Sequence, residues 1–251
     1  TERLKVRANP YHRYVCEAER RMFEHPGLRA VVCNSRMVRE DILRHFRIAA
    51  GKLHVIHNGV DLEHFHPEHR SVLRAEARLA LGCGSEDALF LFVGSDFKRK
   101  GLRCAIDALA LARDPRMRLV VAGRDRASER FSERARAAGL SDRVRLLGGV
   151  ADVRPLYAAA DCFILPSLYD PFPNAALEAL AMGVPAVVSR RCGTAELVRE
   201  GENGWICEPN DPAGLAALLR TAAAAARAER MLPAARSAAE HFGIDDMAKK
   251  L

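Results

Sequence analysis

The chain has 251 residues and a net charge of +7, with 49% hydrophobic and 28% charged residues, as is typical of a globular protein. No apolar run approaches the roughly 20 residues that a helix needs to cross a bilayer, and the first residues do not resemble a secretory signal. Seven scattered cysteines without a CxxC pair argue against a disulfide framework and favour reduced thiols in the cytoplasm.

The positive charge is unevenly distributed along the chain. Residues 1–75 contain 14 Lys and Arg against 9 Asp and Glu, a net charge of +5. This excess favours an anionic partner near the N-terminal segment, such as membrane lipid or a phosphorylated glycan. Nucleic acid is not expected as a partner, because no nucleic-acid motif accompanies the charge and only 6% of the residues are aromatic.

The N-terminal segment, residues 1–58, has a pattern of its own. The spacing of its apolar residues predicts an amphipathic helix over 9–23, whose apolar stripe we expect to pack on a domain; contact with a membrane surface is the alternative. Two predicted strands, over 30–33 and 53–57, flank a helix for which Ser35 is the expected N-cap. These elements are expected to close a preceding domain.

The turn NGVD at 58–61 predicts a domain boundary, because Asn, Gly and Asp favour tight turns. A second domain is expected over 59–240, followed by the start of a C-terminal helix at 241–251. Thr rather than Met stands first, and the alanine-rich helical pattern continues towards the last residue. We therefore expect the chain to be part of a longer protein.

From Asp87 onward, short apolar runs alternate with segments patterned for helices. Runs that are apolar throughout are typical of strands buried on both faces of a parallel sheet. Strict alternation with short connections predicts a doubly wound α/β fold, in which ligands bind at the carboxyl ends of the strands. The predicted strands cover 89–93, 119–122, 144–147, 162–165, 186–189 and 205–207. The predicted helices cover 102–113, 128–138, 152–159, 174–182 and 194–199.

A glycine-flanked basic loop, GSDFKRKG at 94–101, follows the first predicted strand of this sheet. Its glycines allow the backbone to turn tightly and approach a ligand, and its three adjacent cations can neutralise a diphosphate. Alone, such a loop is more often a solvated turn. A second motif at the same edge of the sheet favours a ligand site instead.

That second motif, YDPFPNAALE at 169–178, follows the predicted strand 162–165. A strand, a loop and a helix N-terminus in this order present free N–H groups and the positive end of a helix dipole to an anionic ligand. The carboxylates of Asp170 and Glu178 flank this site, and carboxylates accept hydrogen bonds from sugar hydroxyls. A helix N-terminus that attracts phosphate, between two carboxylates that accept hydrogen bonds from hydroxyls, indicates that the ligand is a nucleotide-sugar.

Together these motifs resemble the C-terminal half of a family 4 glycosyltransferase of the GT-B architecture. In that family an acid, a phenylalanine and a glutamate stand where Asp170, Phe172 and Glu178 stand, and a Gly–loop–Lys-Gly pattern matches residues 94–101. Further matches are the turn at 58–61 and Gly-Val-Pro at 183–185. Within the family, the GSDFKRKG loop and the segment YHRYVCEAERRMF are most similar to the bacterial lipopolysaccharide core glucosyltransferase that glucosylates inner-core heptose.

The resemblance implies a GT-B fold with a Rossmann-like donor-binding domain and a remnant of a second, acceptor-binding domain. Arg99 and Lys100 would hold the diphosphate of the donor and stabilise the leaving group. Glu178 would accept the ribose hydroxyls, and Asp170 a sugar hydroxyl. Many members carry an arginine where this chain has Ser95, so Arg99 is expected to replace that cation. Other donor contacts are implied at Gly94, Arg124, Val150, Phe172, Pro173, Asn174 and Ala175, mostly through backbone groups.

The implied activity is the retaining transfer of a hexose, glucose above all, from a UDP-sugar to a lipid-linked lipopolysaccharide core oligosaccharide. No metal or other cofactor is expected, because two cations and a helix N-terminus supply the positive field. The 251 residues alone are expected to be inactive, and peripheral contact with an anionic inner membrane is a further expectation. Two alternatives stay open, a UDP-sugar epimerase of the same architecture and a nucleotide-sugar-binding module without turnover.

Five histidines between residues 54 and 69 could suggest a metal site. They straddle a predicted strand, a turn and a loop that contains proline, so their side chains need not converge. We expect exposed positions or domain contacts for them.

Overall fold

The computed structural model describes residues 9–226 and 231–251. The chain forms two compact units, Thr1–His57 and Asn58–Leu251. Residues 1–8 of the predicted first domain and 227–230 of the predicted second domain lie outside the described residues. Among the described helices, none is long and apolar enough to cross a membrane.

The first unit contains two helices and a two-stranded parallel sheet. Helix α1 is Pro10–Phe23, β1 is Val31–Cys33, α2 is Arg36–His45 and β2 is Leu53–Val55, with a 3-10 turn at Ala50–Lys52. The side chain of Ser35 accepts a hydrogen bond from the amide of Val38 at 3.1 Å, which confirms the predicted N-cap of α2.

The apolar stripe of α1 is largely exposed. Tyr11 and Tyr14 are 68% and 73% exposed, and no residue of the helix is buried. The packing of this stripe on a domain therefore stays a prediction.

The second unit is built on six strands with helices between them. The strands are β3 Ala88–Val93, β4 Met117–Ala122, β5 Val144–Gly148, β6 Cys162–Leu165, β7 Ala186–Ser189 and β8 Gly204–Cys207. The helices are α3 Glu68–Ala80, α4 Leu102–Ala112, α5 Ser128–Ala137, α6 Arg154–Ala159, α7 Asn174–Ala181, α8 Pro212–Ala226, α9 Leu232–Ala239 and α10 Ile244–Ala248.

All six strands are parallel, in the order β5-β4-β3-β6-β7-β8. The chain fills one half of the sheet outward from β3 and then returns to add β6 on its other side. This is the doubly wound order, and its switch point lies between β3 and β6. The predicted doubly wound α/β fold is confirmed.

The strands are buried because both of their faces are covered. Leu89, Leu91, Phe92 and Phe163 are fully buried, and the core continues into helices α4 and α7. This explains why the strands read as continuous apolar runs rather than as alternating patterns.

Two elements differ from the prediction. The segment predicted as a helix over 194–199 is a 3-10 helix, Gly193–Leu197. Helix α3 was not predicted, because two of its inward positions are the arginines Arg74 and Arg78, which interrupt the apolar pattern. Their long side chains reach charged partners that the local pattern does not reveal.

Asp161, directly before β6, is the partner of both arginines. Its Oδ1 accepts a hydrogen bond from Arg74, and its Oδ2 accepts from Arg78 at 3.0 Å and from the amide of Leu89 at 2.7 Å. Both guanidinium groups also donate to the carbonyl of Ala159, near the end of α6, at 2.8 and 3.1 Å. The half-buried carboxylate thus ties α3 and α6 to the amino ends of β3 and β6.

Removing this carboxylate should destabilise the protein strongly. We expect Asp161→Ala to lower the free energy of unfolding by about 3–5 kcal/mol, because it leaves the charges of Arg74 and Arg78 without their partner. Urea unfolding with an unchanged m-value measures the loss. Glu129→Ala is the control: its ion pair with Arg136 is 4.0 Å long and exposed, so no measurable change is expected. Equal stability of the two variants would contradict the assignment.

Candidate functional site

The sequence-predicted site residues lie at the carboxyl ends of four neighbouring strands. Gly94 and Ser95 follow β3, Arg124 follows β4, Val150 follows β5, and the motif at 169–178 follows β6. Since β5, β4, β3 and β6 are adjacent in the sheet, these loops share one edge. The two charged loops flank the switch point, where doubly wound sheets bind their ligands.

Two glycines shape the basic loop. Gly94 has a φ of +147°, and a Cβ there would lie 2.6 Å from Cε of Lys100. Gly101 has a φ of +82°, and a Cβ there would lie 2.1 Å from the carbonyl oxygen of Pro166. The first glycine therefore makes room for the lysine side chain, and the second allows the loops after β3 and β6 to touch.

Aspartates hold the middle of this loop. Asp96 has a φ of +57°, and its Oδ2 accepts a hydrogen bond from Nε of Arg99 at 2.8 Å. Asp125, in the loop after β4, accepts a hydrogen bond from the amide of Phe97 at 2.7 Å. The ring of Phe97 is buried between Phe92 and Phe131. The loop is thereby fixed at its centre, directly before its three cations.

The centre of the site is the carboxylate of Asp170. Its Oδ2 accepts hydrogen bonds from Nζ of Lys100 at 2.7 Å and from Nη1 of Arg99 at 3.3 Å. The side chains of Asp170 and Lys100 are only 8% and 12% exposed. Arg99 also donates to the carbonyl of Tyr169 at 2.8 Å. The three charged residues named from the sequence thus form one cluster that joins the two loops.

Both cations keep donors for a further anion. Arg99 donates through Nε and Nη1 to Asp96, Asp170 and the carbonyl of Tyr169, which leaves the two N–H groups of Nη2 without a partner among the described residues. Lys100 donates only to Asp170 among the described residues, so two of its three ammonium protons are available.

Helix α7 presents its N-terminus beside this cluster. The amides of Asn174 and Ala175 donate to no group among the described residues, as is usual for a first helical turn. The preceding Pro173 is extended and buried. Asn58 fixes the turn from outside, because its Nδ2 donates to Oδ1 of Asn174 at 2.7 Å and to the carbonyl of Phe172 at 3.3 Å.

The side chain of Phe172 belongs to the core. Its ring is 4% exposed and lies 6.5 Å from the ring of the partly buried Phe242. The side chain therefore anchors the loop, and only its backbone is near the other site residues.

Glu178 has a neutral partner instead of a cation. Its Oε2 accepts a hydrogen bond from the hydroxyl of Tyr157 at 2.8 Å, while its Oε1 has no hydrogen-bond partner among residues 9–226 and 231–251. Burial raises the pKa of Glu178 above its ordinary value, although the hydrogen bond from Tyr157 and the nearby His64 act in the opposite direction.

The loops after β4 and β5 lie further along the edge. Arg124 is exposed, and its side chain runs against Gly149, where a Cβ would lie 2.3 Å from Nε of the arginine. Val150 is half-buried against the core. No direct contact joins Arg124 or Val150 to the Asp170 cluster among the described hydrogen bonds and ion pairs.

Three supporting residues were not found from the sequence as parts of the site: Asn58, Asp125 and Tyr157. The turn of Asn58 was recognised, but only as a boundary. Tyr157 lies in a predicted helix, where it reads as an ordinary core position. Within the described ranges, no three His, Cys, Asp or Glu side chains are arranged as metal ligands.

Comparison with known proteins identifies the family. The family model "Glycosyl transferases group 1" matches residues 74–244, and "Glycosyltransferase Family 4" matches residues 1–64. The D-inositol 3-phosphate glycosyltransferase of Streptomyces avermitilis is 30% identical over 232 residues, which cover 87% of this chain and 49% of that protein. The chain spans about half the length of the curated relatives it matches.

Two solved structures are similar in fold. WaaG, a glycosyltransferase involved in lipopolysaccharide biosynthesis, is 25% identical with a TM-score of 0.84, over 97% of this chain and 67% of WaaG. HepE of Anabaena, solved in complex with UDP and glucose, is 25% identical with a TM-score of 0.77, over 88% of this chain and 61% of HepE.

These similarities confirm the predicted GT-B fold, and the six-stranded parallel sheet is its principal element. Because the first family model covers well over half of the residues and contains both charged loops, the chain belongs to the glycosyl transferases group 1 family.

Proposed function

We propose that this chain binds the nucleotide part of a UDP-sugar and presents the sugar for transfer. The observation that carries the proposal is the arrangement around Asp170: a lysine with two free protons, a helix N-terminus with two free amides, and Oε1 of Glu178 at one sheet edge. A cation and a helix N-terminus suit a diphosphate. A carboxylate oxygen suits hydroxyl groups of ribose.

In this proposal, different residues bind different parts of the donor. Lys100 and the amides of Asn174 and Ala175 bind the phosphates, with Arg99 adding positive charge and holding the loop. Asp170 keeps both cations in place and offers its second oxygen to a sugar hydroxyl. Backbone groups near Arg124 and Val150 meet the uracil ring.

Glucose is the proposed sugar, transferred with retention at the anomeric carbon. The complex of HepE with UDP and glucose supports this donor, since HepE shares the fold over 88% of this chain. The proposed acceptor is a lipopolysaccharide core oligosaccharide, which the similarity to WaaG supports. The Streptomyces relative is named for an inositol phosphate instead.

The proposed mechanism uses protein charges at the leaving group. Negative charge grows on the diphosphate as the bond to the sugar breaks, and preorganised cations stabilise it without reorganisation. We propose that no metal is required, so that EDTA leaves transfer unchanged. A transfer activity that EDTA abolishes and a divalent ion restores would contradict this part.

We also propose peripheral contact between the first unit and an anionic membrane on the cytoplasmic side. Helix α1 carries Arg13, Arg20 and Arg21 as well as the exposed Tyr11 and Tyr14, and Arg20 and Arg21 form ion pairs with Glu17. Cationic and aromatic residues on one exposed helix suit an anionic lipid surface.

Lys100→Ala should weaken UDP binding and leave uridine binding almost unchanged. The loss of a charge-assisted hydrogen bond to phosphate costs about 1.5–3 kcal/mol, or roughly 10–150-fold in affinity. Isothermal titration calorimetry with UDP and uridine measures the difference. Lys98→Ala is the matched control, because Lys98 is an exposed cation two residues away with no side-chain partner among the described residues. Equal losses in the two variants would show a general charge effect.

UDP affinity should fall at acidic pH as Glu178 takes up a proton. The ionised carboxylate is the form that accepts two hydroxyl donors, and burial raises its pKa. UDP affinity is therefore lost as the pH falls through the pKa of Glu178, which lies above the pKa of an ordinary glutamate. Glu178→Ala should bind UDP with lower affinity at neutral pH. It should also lack the acidic limb, which is the fall in UDP affinity at low pH. A limb that persists in Glu178→Ala would belong to another group.

A further inference from the structure

Tyr157 is a buried phenol whose hydroxyl faces the site. The side chain belongs to α6 and is fully buried. Its hydroxyl lies 2.8 Å from Oε2 of Glu178 and 3.0 Å from the carbonyl oxygen of Ala175, both in the first turns of α7. A buried hydroxyl is costly unless it is hydrogen-bonded, and phenylalanine would fill the same space without that cost. The polar contact is therefore the feature to be explained.

The hydroxyl is held at a fixed position. The ring of Tyr157 packs edge-on against Phe65 at 5.9 Å and lies 6.4 Å from Phe163 of β6. Nη1 of Arg70 donates to the carbonyl of Tyr157 at 3.2 Å and to that of Ala160 at 2.8 Å. The ring and the backbone of Tyr157 are thus both held in place, so its hydroxyl has a fixed position relative to α7.

The hydroxyl is also a permanent donor. Burial, together with the charge of Glu178 and the hydrogen bond to it, raises the pKa of Tyr157 well above its ordinary value. The phenol keeps its proton at neutral pH, and the ionised carboxylate is the stronger of its two acceptors. The contact therefore fixes Oε2 and leaves Oε1 for another donor.

We propose that Tyr157 is a positioning residue for the ribose of the donor: its hydroxyl holds Oε2 of Glu178 and directs Oε1 toward the ribose hydroxyls. This inference rests on the proposed function, because it assigns Glu178 to a nucleotide. Tyr157 itself does not contact the ligand and acts through Glu178.

The proposal predicts a pH effect as well as a loss of affinity. The hydrogen bond from Tyr157 favours the ionised form of Glu178, and His64 is the other group whose charge acts on it. Without the hydroxyl, Glu178 takes up its proton at a higher pH. The acidic limb of UDP binding should then move to higher pH, which a loss of packing alone would not cause.

Tyr157→Phe tests the proposal, since it removes the hydroxyl and keeps the ring. We expect UDP affinity at neutral pH to fall about three- to tenfold, as for one net hydrogen bond. The affinity for 2′,3′-dideoxyuridine diphosphate should not change, because that ligand lacks the hydroxyls that Glu178 accepts. Thr221→Val, which removes the hydroxyl of an exposed residue of α8, is the control and should bind both ligands like the unaltered chain.

A double-mutant cycle shows whether Tyr157 acts through Glu178. In the Glu178→Ala background, Tyr157→Phe should have no further effect on UDP affinity. Equal losses for UDP and the dideoxy ligand, or full additivity in the cycle, would overturn the inference and leave the proposed function standing. If the unaltered chain bound neither ligand, the proposed function itself would be wrong.

A ligand-free measurement covers the case in which Tyr157→Phe does not fold. In the unaltered chain, the NMR signal of the Tyr157 hydroxyl proton is followed while the carboxyl carbon of Glu178 is titrated with acid. Both signals should move with the same midpoint, because protonation of Glu178 weakens the contact. A hydroxyl proton signal that does not shift during the titration of Glu178 would overturn the proposal.

Discussion

The buried carboxylate of Asp170 holds the site together. It lies at the switch point of the sheet, where the loop after β6 meets the loop after β3, and it accepts hydrogen bonds from both Arg99 and Lys100. Two cations that share one carboxylate offset the cost of its burial, and the carboxylate in turn reduces the repulsion between them. The two loops approach each other closely at this contact. Gly94 makes room for the side chain of Lys100, and the contact with Asp170 directs its ammonium group.

The two carboxylates of the motif perform different tasks because their partners differ. Asp170 faces cations, so its charge serves to arrange positive groups. Glu178 accepts a hydrogen bond from the neutral hydroxyl of Tyr157, so its Oε1 remains available to neutral donors. A pair of acids eight residues apart in the sequence thus separates into one that arranges two cations and one whose Oε1 has no partner among the described residues.

Much of this arrangement could be predicted from the sequence. The strands were found because residues such as Leu89 and Phe163 lie in runs that are apolar throughout, and the charged loops because their residues are adjacent in the chain. The roles of Asn58 and Tyr157 could not be predicted in this way. Each contacts a residue more than 15 positions away, and these contacts depend on how α6, α7 and the turn before α3 pack. The same limit hid α3, whose inward arginines find Asp161 only in the folded sheet.

Strand β6 lies between two aspartates that are each bonded to two cations, and the comparison shows what separates a structural cluster from a binding site. At its amino end, both oxygens of Asp161 accept hydrogen bonds from Arg74, Arg78 and the amide of Leu89, and the arginines also reach backbone carbonyls. At its carboxyl end, Oδ1 of Asp170 and two protons of Lys100 have no partner among the described residues. A ligand can pair these groups through charge-assisted hydrogen bonds, which the fully paired cluster around Asp161 cannot offer. The incomplete cluster, at the edge where doubly wound sheets bind their ligands, is therefore the one to which we assign the donor.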